Sequence, residues 1–283
     1  MRIGDIGIGR KIVEKKSGMI FRVAGQDHYG EGITTLLTDH VIGVRALDAA
    51  ENRKREGSNC DWSGKFGNNN YLESNLNQWL NSAEAEWYRP MNEYDNPPAA
   101  GLLRFNEHPY QDEPGFLTRF SDKFNDSLVF TDIPVIVRTG VEKAELSSVS
   151  AAVFLPSRTE MNKGDEFGIA EGKTLPIFYD HYIFKATPSP DQMEKYGRSW
   201  NPEEPEKGRC FDGPQLYDPK FGWWYLMRTP NVRYSFMERV MTAYGSVSFT
   251  YANNDVAGIR PLVNVCADTE VTDIGSDLPL YRL

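Results

Sequence analysis

Residues able to do chemistry are few in this chain and loosely grouped. The tightest acid–histidine group is Glu107, His108, Asp112 and Glu113, inside F-N-E-H-P-Y-Q-D-E-P-G-F. Oxygen donors of this kind can take a divalent cation. The segment shows neither EF-hand spacing nor H-E-x-x-H, so a network of loop hydrogen bonds is its expected role. His28 stands between Asp27 and Glu31 in a turn, without a second histidine at ligand spacing, and is expected to be solvated. Cys60, Cys210 and Cys266 are far apart and odd in number, which argues against a disulfide framework and a cysteine zinc site. The chain has no G-x-x-x-x-G-K-[ST] and no G-x-S-x-G, and G-D-I-G-I-G at Gly4 to Gly9 is not followed by a helical pattern. No cofactor and no metal are expected. Paired carboxylates acting through space stay open, because their spacing is three-dimensional.

Groups suited to binding are better represented. Between Val232 and Asp255 lie Arg233, Tyr234, Tyr244, Ser248, Thr250, Asn253, Asn254 and Asp255. Tyrosine offers rigid contact area, and Ser and Asn offer adaptable hydrogen bonding. These eight are the expected ligand-binding residues; an ordinary solvated sheet face is the competing reading.

The elements that must position them are strands. Val247, Phe249 and Tyr251 alternate with Ser246, Ser248 and Thr250, and Ile259, Pro261, Val263 and Val265 repeat the period of two. Tyr244-Gly245 and Asn253-Asn254-Asp255 punctuate the runs as turns. The pattern predicts an antiparallel meander over 223–228, 236–242, 246–251 and 258–265, with the apolar row inward and the Ser/Thr row outward. Adjacent Trp223 and Trp224 must point to opposite faces, so at least one fills the core. Arg228 and Arg260 are expected to pair with acids or cap carbonyls.

Upstream, short strands are expected at 20–23 and 34–38 around the Gly25–Gly32 turn. Leu72, Leu76, Trp79, Leu80 and Ala83 share one helical face, predicting a helix over 71–88 with Ser74 as N-cap and Trp79 in the core. Phe116, Phe120 and Phe124 predict a second helix over 116–129. A polar loop or hairpin tip is expected at 139–150, and Ser157 with Glu160 has capping-box spacing. Residues 187–220, rich in Pro, Gly and charge, read as a long surface excursion.

Composition bounds the whole. The 283 residues, 40% hydrophobic, suffice for a sizeable core, and 24 Gly with 17 Pro favour a loop-rich fold of short strands. A formal charge of −9 disfavours binding to nucleic acid or anionic membranes. No apolar run has the length of a membrane span, and the first residues lack the apolar stretch of a secretory signal, so synthesis in a cytoplasm is expected.

Five motifs carry a resemblance. They are Leu36-Leu37-Thr38; S-N-L-N-Q-W-L-N from Ser74; Phe154-Leu155-Pro156-Ser157 with Glu160; Trp223-Trp224 with Leu226, Arg228, Thr229 and Pro230; and Gly258-Ile259-Arg260-Pro261. In this order they resemble a family of uncharacterised domains encoded by phages, prophages and bacteria. Tyr225 and Met227 are extra within the W-W-L-R-T-P pattern, and two added residues preserve strand parity. That family is similar to C-type-lectin-like folds, which include phage receptor-binding proteins and formylglycine-generating enzymes. The resemblance implies an α+β, C-type-lectin-like architecture of short antiparallel sheets, two main helices and long loops. It implies a single domain over 1–283, with a loop-rich insertion at about 187–220. It implies a non-catalytic virion protein, displayed on capsid or tail, that binds a host-surface glycan or protein. The alternative is an architectural virion subunit without a ligand. An enzyme of the lectin-like class is less favoured, since Cys210 and Cys266 fall outside matching motifs. Other virion proteins and further copies of the chain are the expected partners.

Overall fold

A computed structural model describes residues 1–52, 62–137, 139–140, 143–186, 217–218, 222–274 and 280–283. The excursion expected over 187–220 therefore lies outside the described residues, apart from 217–218, as do Cys60 and Cys210. The fold is mixed α+β and rich in sheet. Its strands, in chain order, are β1 Lys11–Val13, β2 Ile20–Gln26, β3 Ile33–Thr38, β4 Gly43–Val44, β5 Thr131–Val137 and β6 Glu145–Ala151. There follow β7 Val153–Phe154, β8 Tyr217–Asp218, β9 Gly222–Trp223, β10 Tyr225–Pro230, β11 Met237–Met241 and β12 Val247–Tyr251. The last four are β13 Gly258–Ile259, β14 Leu262–Cys266, β15 Thr272–Asp273 and β16 Leu280–Arg282. Three short helices, α1 Ser63–Phe66, α2 Asn75–Leu80 and α3 Asp122–Ser127, accompany them among the described residues.

Two sheets organise the molecule. One has seven strands in the order β15-β16-β1-β2-β3-β14-β7, the other five in the order β12-β11-β10-β13-β4. β10, β11 and β12 form the expected antiparallel meander. The fourth predicted strand departs from it. Residues 258–265 do not continue beside β12. β13 returns to the far side of β10, parallel to it at Tyr225 and Gly258, and β14 crosses into the other sheet between β3 and β7. Arg260 and Pro261 make the joint. Arg260 is buried and its guanidinium donates to the carbonyls of Thr38, Asp39 and Ile183 at 3.1, 3.4 and 2.5 Å. Gly258 is required beside it: a Cβ there would stand 2.6 Å from the Trp224 carbonyl oxygen.

Both predicted helices are shorter than expected. Ser74 caps α2, accepting the Asn77 N–H, but the helix stops at Leu80. Asn81 ends it by acting as a stand-in for backbone. Its Oδ1 accepts the Ala152 and Val153 N–H groups, and its Nδ2 donates to the Val153 carbonyl, so the helix end is tied to β7. The Phe116–Phe124 segment breaks at Phe120, because Ser121 caps a new helix by accepting the Phe124 N–H. The three rings still reach one place: Phe120 and Phe124 lie 4.5 Å apart, and Phe124 stacks on Phe21 at 5.4 Å. The expected loop at 139–150 is largely strand, with β6 pairing β5 from Glu145 to Ala151. Trp79, Trp223, Trp224, Arg228 and Arg260 are all buried. One cluster of buried apolar side chains, from Ile3 to Leu283, unites the sheets. No described helix is long and apolar enough to cross a membrane.

Candidate binding groove

β12 is the edge of the five-stranded sheet, and a groove of about 200 Å³ opens beside it. Ser248, Phe249, Thr250 and Tyr251 line it from the strand, Met237 and Val240 from the neighbouring β11, and Trp224 from just before β10. Arg104 and Phe105 come from a distant loop, Asn254 and Val256 from the turn that follows β12. The row that alternation predicted as core is partly outside: Phe249 is 53% exposed, whereas Ser248 and Thr250 are half-buried. An edge strand lacks a neighbour on one side, so neither of its faces is fully covered and polarity alternation misassigns them.

The turn residues explain how the groove is built. Asp255 is fully buried, and its carboxylate accepts the backbone N–H groups of Phe105, Glu107 and His108 at 3.0, 2.7 and 2.9 Å. It thereby holds the loop that carries Arg104 and Phe105. Asn253 is also buried, donating from Nδ2 to the Lys65 carbonyl at 3.0 Å, while its own carbonyl accepts the Arg104 N–H at 2.9 Å. Asn254 donates to Thr250 Oγ1 at 2.7 Å and accepts the Val256 N–H at 3.1 Å. The expectation that Asn253, Asn254 and Asp255 form a free contact surface is therefore corrected. They are buried because short polar side chains at a turn satisfy backbone donors that a loop would otherwise leave unpaired. Asn254 alone still touches the groove.

A run of ring contacts stiffens the wall. The Arg104 guanidinium lies 4.4 Å from the Tyr251 ring centroid and 5.0 Å from that of Phe105. Tyr251 stacks on Phe66 at 4.1 Å, and Phe66 reaches Trp62 and Phe236 at 5.8 and 5.7 Å. Arg233, Tyr234 and Tyr244 are exposed but stand apart from the groove lining; Arg233 lies over the Phe167 ring at 4.4 Å. Of the eight predicted binding residues the structure thus brings Ser248, Thr250 and Asn254 together. It adds Arg104, Phe105, Phe249 and Tyr251, which no local signal marked: Arg104 and Phe105 belong to an irregular segment about 150 residues earlier in the chain.

The acid–histidine group at 107–113 does not converge. The Glu113 carboxylate is taken by Arg45 and Arg119 at 2.6 and 3.4 Å. No cluster of three or more acidic, His or Cys side chains suited to a metal occurs among the described residues.

The titratable groups that do gather are sealed inside. Arg228 makes a two-pronged pair with Glu160, both contacts at 2.6 Å, and donates to the Pro134 and Leu155 carbonyls. Glu160 also accepts the Ser157 N–H and contacts the Tyr29 hydroxyl. Glu166 joins Arg158 and Arg239 at 2.9 and 2.5 Å. Glu171 accepts the Ile136 N–H and contacts Thr229 Oγ1. Burial pushes the Glu171 carboxyl up to about 7, against the pull of Arg228 and Thr229. Burial, reinforced by Glu171, holds Glu238 well above the usual carboxylate range against the pull of the Arg239 backbone N–H, which falls short of good hydrogen-bonding geometry.

The residues shared between motifs therefore meet as scaffold. The P-S-x-x-E turn supplies Ser157 and Glu160, the R-T-P strand supplies Arg228 and Thr229, and G-I-R-P supplies the joint between sheets. No curated protein and no solved structure matches the chain. A family profile does: a domain of unknown function, DUF6273, matches residues 31–267, which takes in all five motifs. The chain belongs to that family of domains.

Proposed function

We propose that this chain is a non-catalytic binding protein that seats its ligand in the groove beside β12. It works as a displayed component of a phage or prophage particle and takes a host-surface glycan or protein. The architecture is of the C-type-lectin-like kind, with short antiparallel strands, small helices and a closing strand that changes sheets. The observation that carries this reading is the exposure of Phe249 in a groove that also holds hydroxyls, an amide and a guanidinium. Apolar rings exposed beside convergent hydrogen-bonding groups suit a ligand with one apolar face and a polar rim, as a sugar ring has. The carboxyls of Asp48 and Glu238, whose affinity for protons burial raises well above the ordinary, are buried and do not line the groove.

The test fills the groove. Ser248→Trp should abolish binding to an immobilised panel of bacterial surface glycans and envelope proteins while leaving the thermal midpoint near that of the wild type. Equal binding by both proteins would sink the groove as the site. Sedimentation of a producing lysate tests the setting: the chain should travel with particles, and its absence from them would overturn the virion part. An architectural role is the second reading, and the uncharged edge of β12 favours it.

A further inference from the structure

We infer that β12 pairs with β12 of a second copy of this chain, in antiparallel register about a two-fold axis through Phe249, so that two grooves share one continuous sheet. The hydrogen-bond phase of the strand is the first observation. The ladder to β11 is bracketed by Ala252 N–H to the Phe236 carbonyl at 3.0 Å and Thr242 N–H to the Ser246 carbonyl at 2.8 Å. With the register Glu238 to Thr250 and Val240 to Ser248 between them, Ser248 and Thr250 bond inward to β11. Val247, Phe249 and Tyr251 therefore aim their N–H and C=O groups away from the sheet. Among the described residues only the Tyr251 carbonyl is engaged there, by the Asn254 N–H at 3.1 Å.

The second observation is what the strand lacks. Exposed edges are ordinarily guarded by charge, proline or a bulge. Ser246 to Ala252 carries no charge, no proline and no glycine, and its register with β11 is unbroken. The strand is open yet unguarded. A chain with a formal charge of −9 repels its own copies, and an uncharged strand is where two of them can meet.

The third is symmetry. Placing Phe249 opposite its counterpart puts Val247 opposite the second copy's Tyr251, which allows about six hydrogen bonds, two of them to Tyr251 carbonyls that already accept the Asn254 N–H and offer their second lone pair. The central pair is aromatic and its flanks are β-branched against aromatic, the combinations that stabilise cross-strand neighbours. The inference is independent of which ligand the groove takes.

The experiment is sedimentation and light scattering of the full chain up to about 100 μM, a range that reads micromolar association. The wild type should be a dimer. Phe249→Lys sets like charges opposite each other at the axis and should raise the dimer dissociation constant at least tenfold. Tyr244→Lys, exposed but outside the strand, should leave it unchanged. Hydrogen exchange on the wild type supplies a readout free of folding effects: the Val247 and Phe249 amides should be protected at high concentration and open on dilution. A wild-type monomer, a dimer indifferent to Phe249→Lys, or fast exchange at both amides where the dimer dominates would each overturn the inference.

Discussion

The five-stranded sheet can be read from its middle and from its edge, and the two regions invert the usual distribution of side chains. Around β10 the interior holds Glu160, Glu171 and Arg228, all essentially solvent-free, beside the half-buried Arg239 and the sealed Glu166. At the edge β12 itself carries Phe249, Tyr251 and hydroxyls and no charged side chain, and the one charge against it is the Arg104 guanidinium over the Tyr251 ring. Charge lies inside and aromatic area outside. The interior gains specificity rather than strength from this choice: a buried ion pair has only one geometry that compensates for lost hydration, so it fixes how β10, β5 and the 157–171 segment meet. The edge needs no unique geometry of its own and keeps surface for something else.

Four substitutions break or sharpen that contrast. The largest effect belongs to Arg228→Met. It leaves Glu160 buried without its partner and should cost about 3–5 kcal/mol in denaturant unfolding. Next comes pH. Glu171 keeps its proton in the folded protein up to about 7, while in the unfolded chain it titrates near the ordinary 4.5. Between these values the folded state holds a proton that the unfolded state has released. Stability should therefore fall as pH rises through this window, by up to roughly 3 kcal/mol, and Glu171→Gln should flatten the profile. Unfolding curves at pH 5 and 7.5 for both proteins read this directly. Glu238→Met should move the other way: removing a buried carboxyl that has only the poorly aligned Arg239 N–H for a donor should add about 1 kcal/mol. At the edge, Phe249→Ser should change the stability of the single chain, measured at concentrations where it is monomeric, by less than about 0.5 kcal/mol, the ordinary size for an exposed site, while binding is lost. A large loss of stability there would show the edge to be structural after all.

What could be read from the sequence followed the range of the interactions. Ser74 and the Ser157–Glu160 box were legible because a cap and its target lie three residues apart. The β10–β12 meander was legible because its turns are local. The second task of Glu160, holding Arg228 from 68 residues away, has no local signature. Asn253 to Asp255 were legible as a turn but not as buried clamps, since their partners lie near Lys65 and the 104–108 loop. The exposure of Phe249 was hidden for a different reason. Period-two alternation says that a strand has two faces, but not whether the strand sits in the middle of a sheet or at its rim.

The change of sheet at Arg260 and Pro261 bears on how the protein comes apart. A strand that belongs to one sheet through Gly258–Ile259 and to the other through Leu262–Cys266 leaves no seam along which either could peel away first. Thermal melting should then show one sharp transition, with fluorescence of the β9–β10 tryptophans and backbone dichroism changing together, and partial opening should be confined to peripheral loops. Arg260, grasping three carbonyls at that crossing, is the rivet whose loss would split one transition into two.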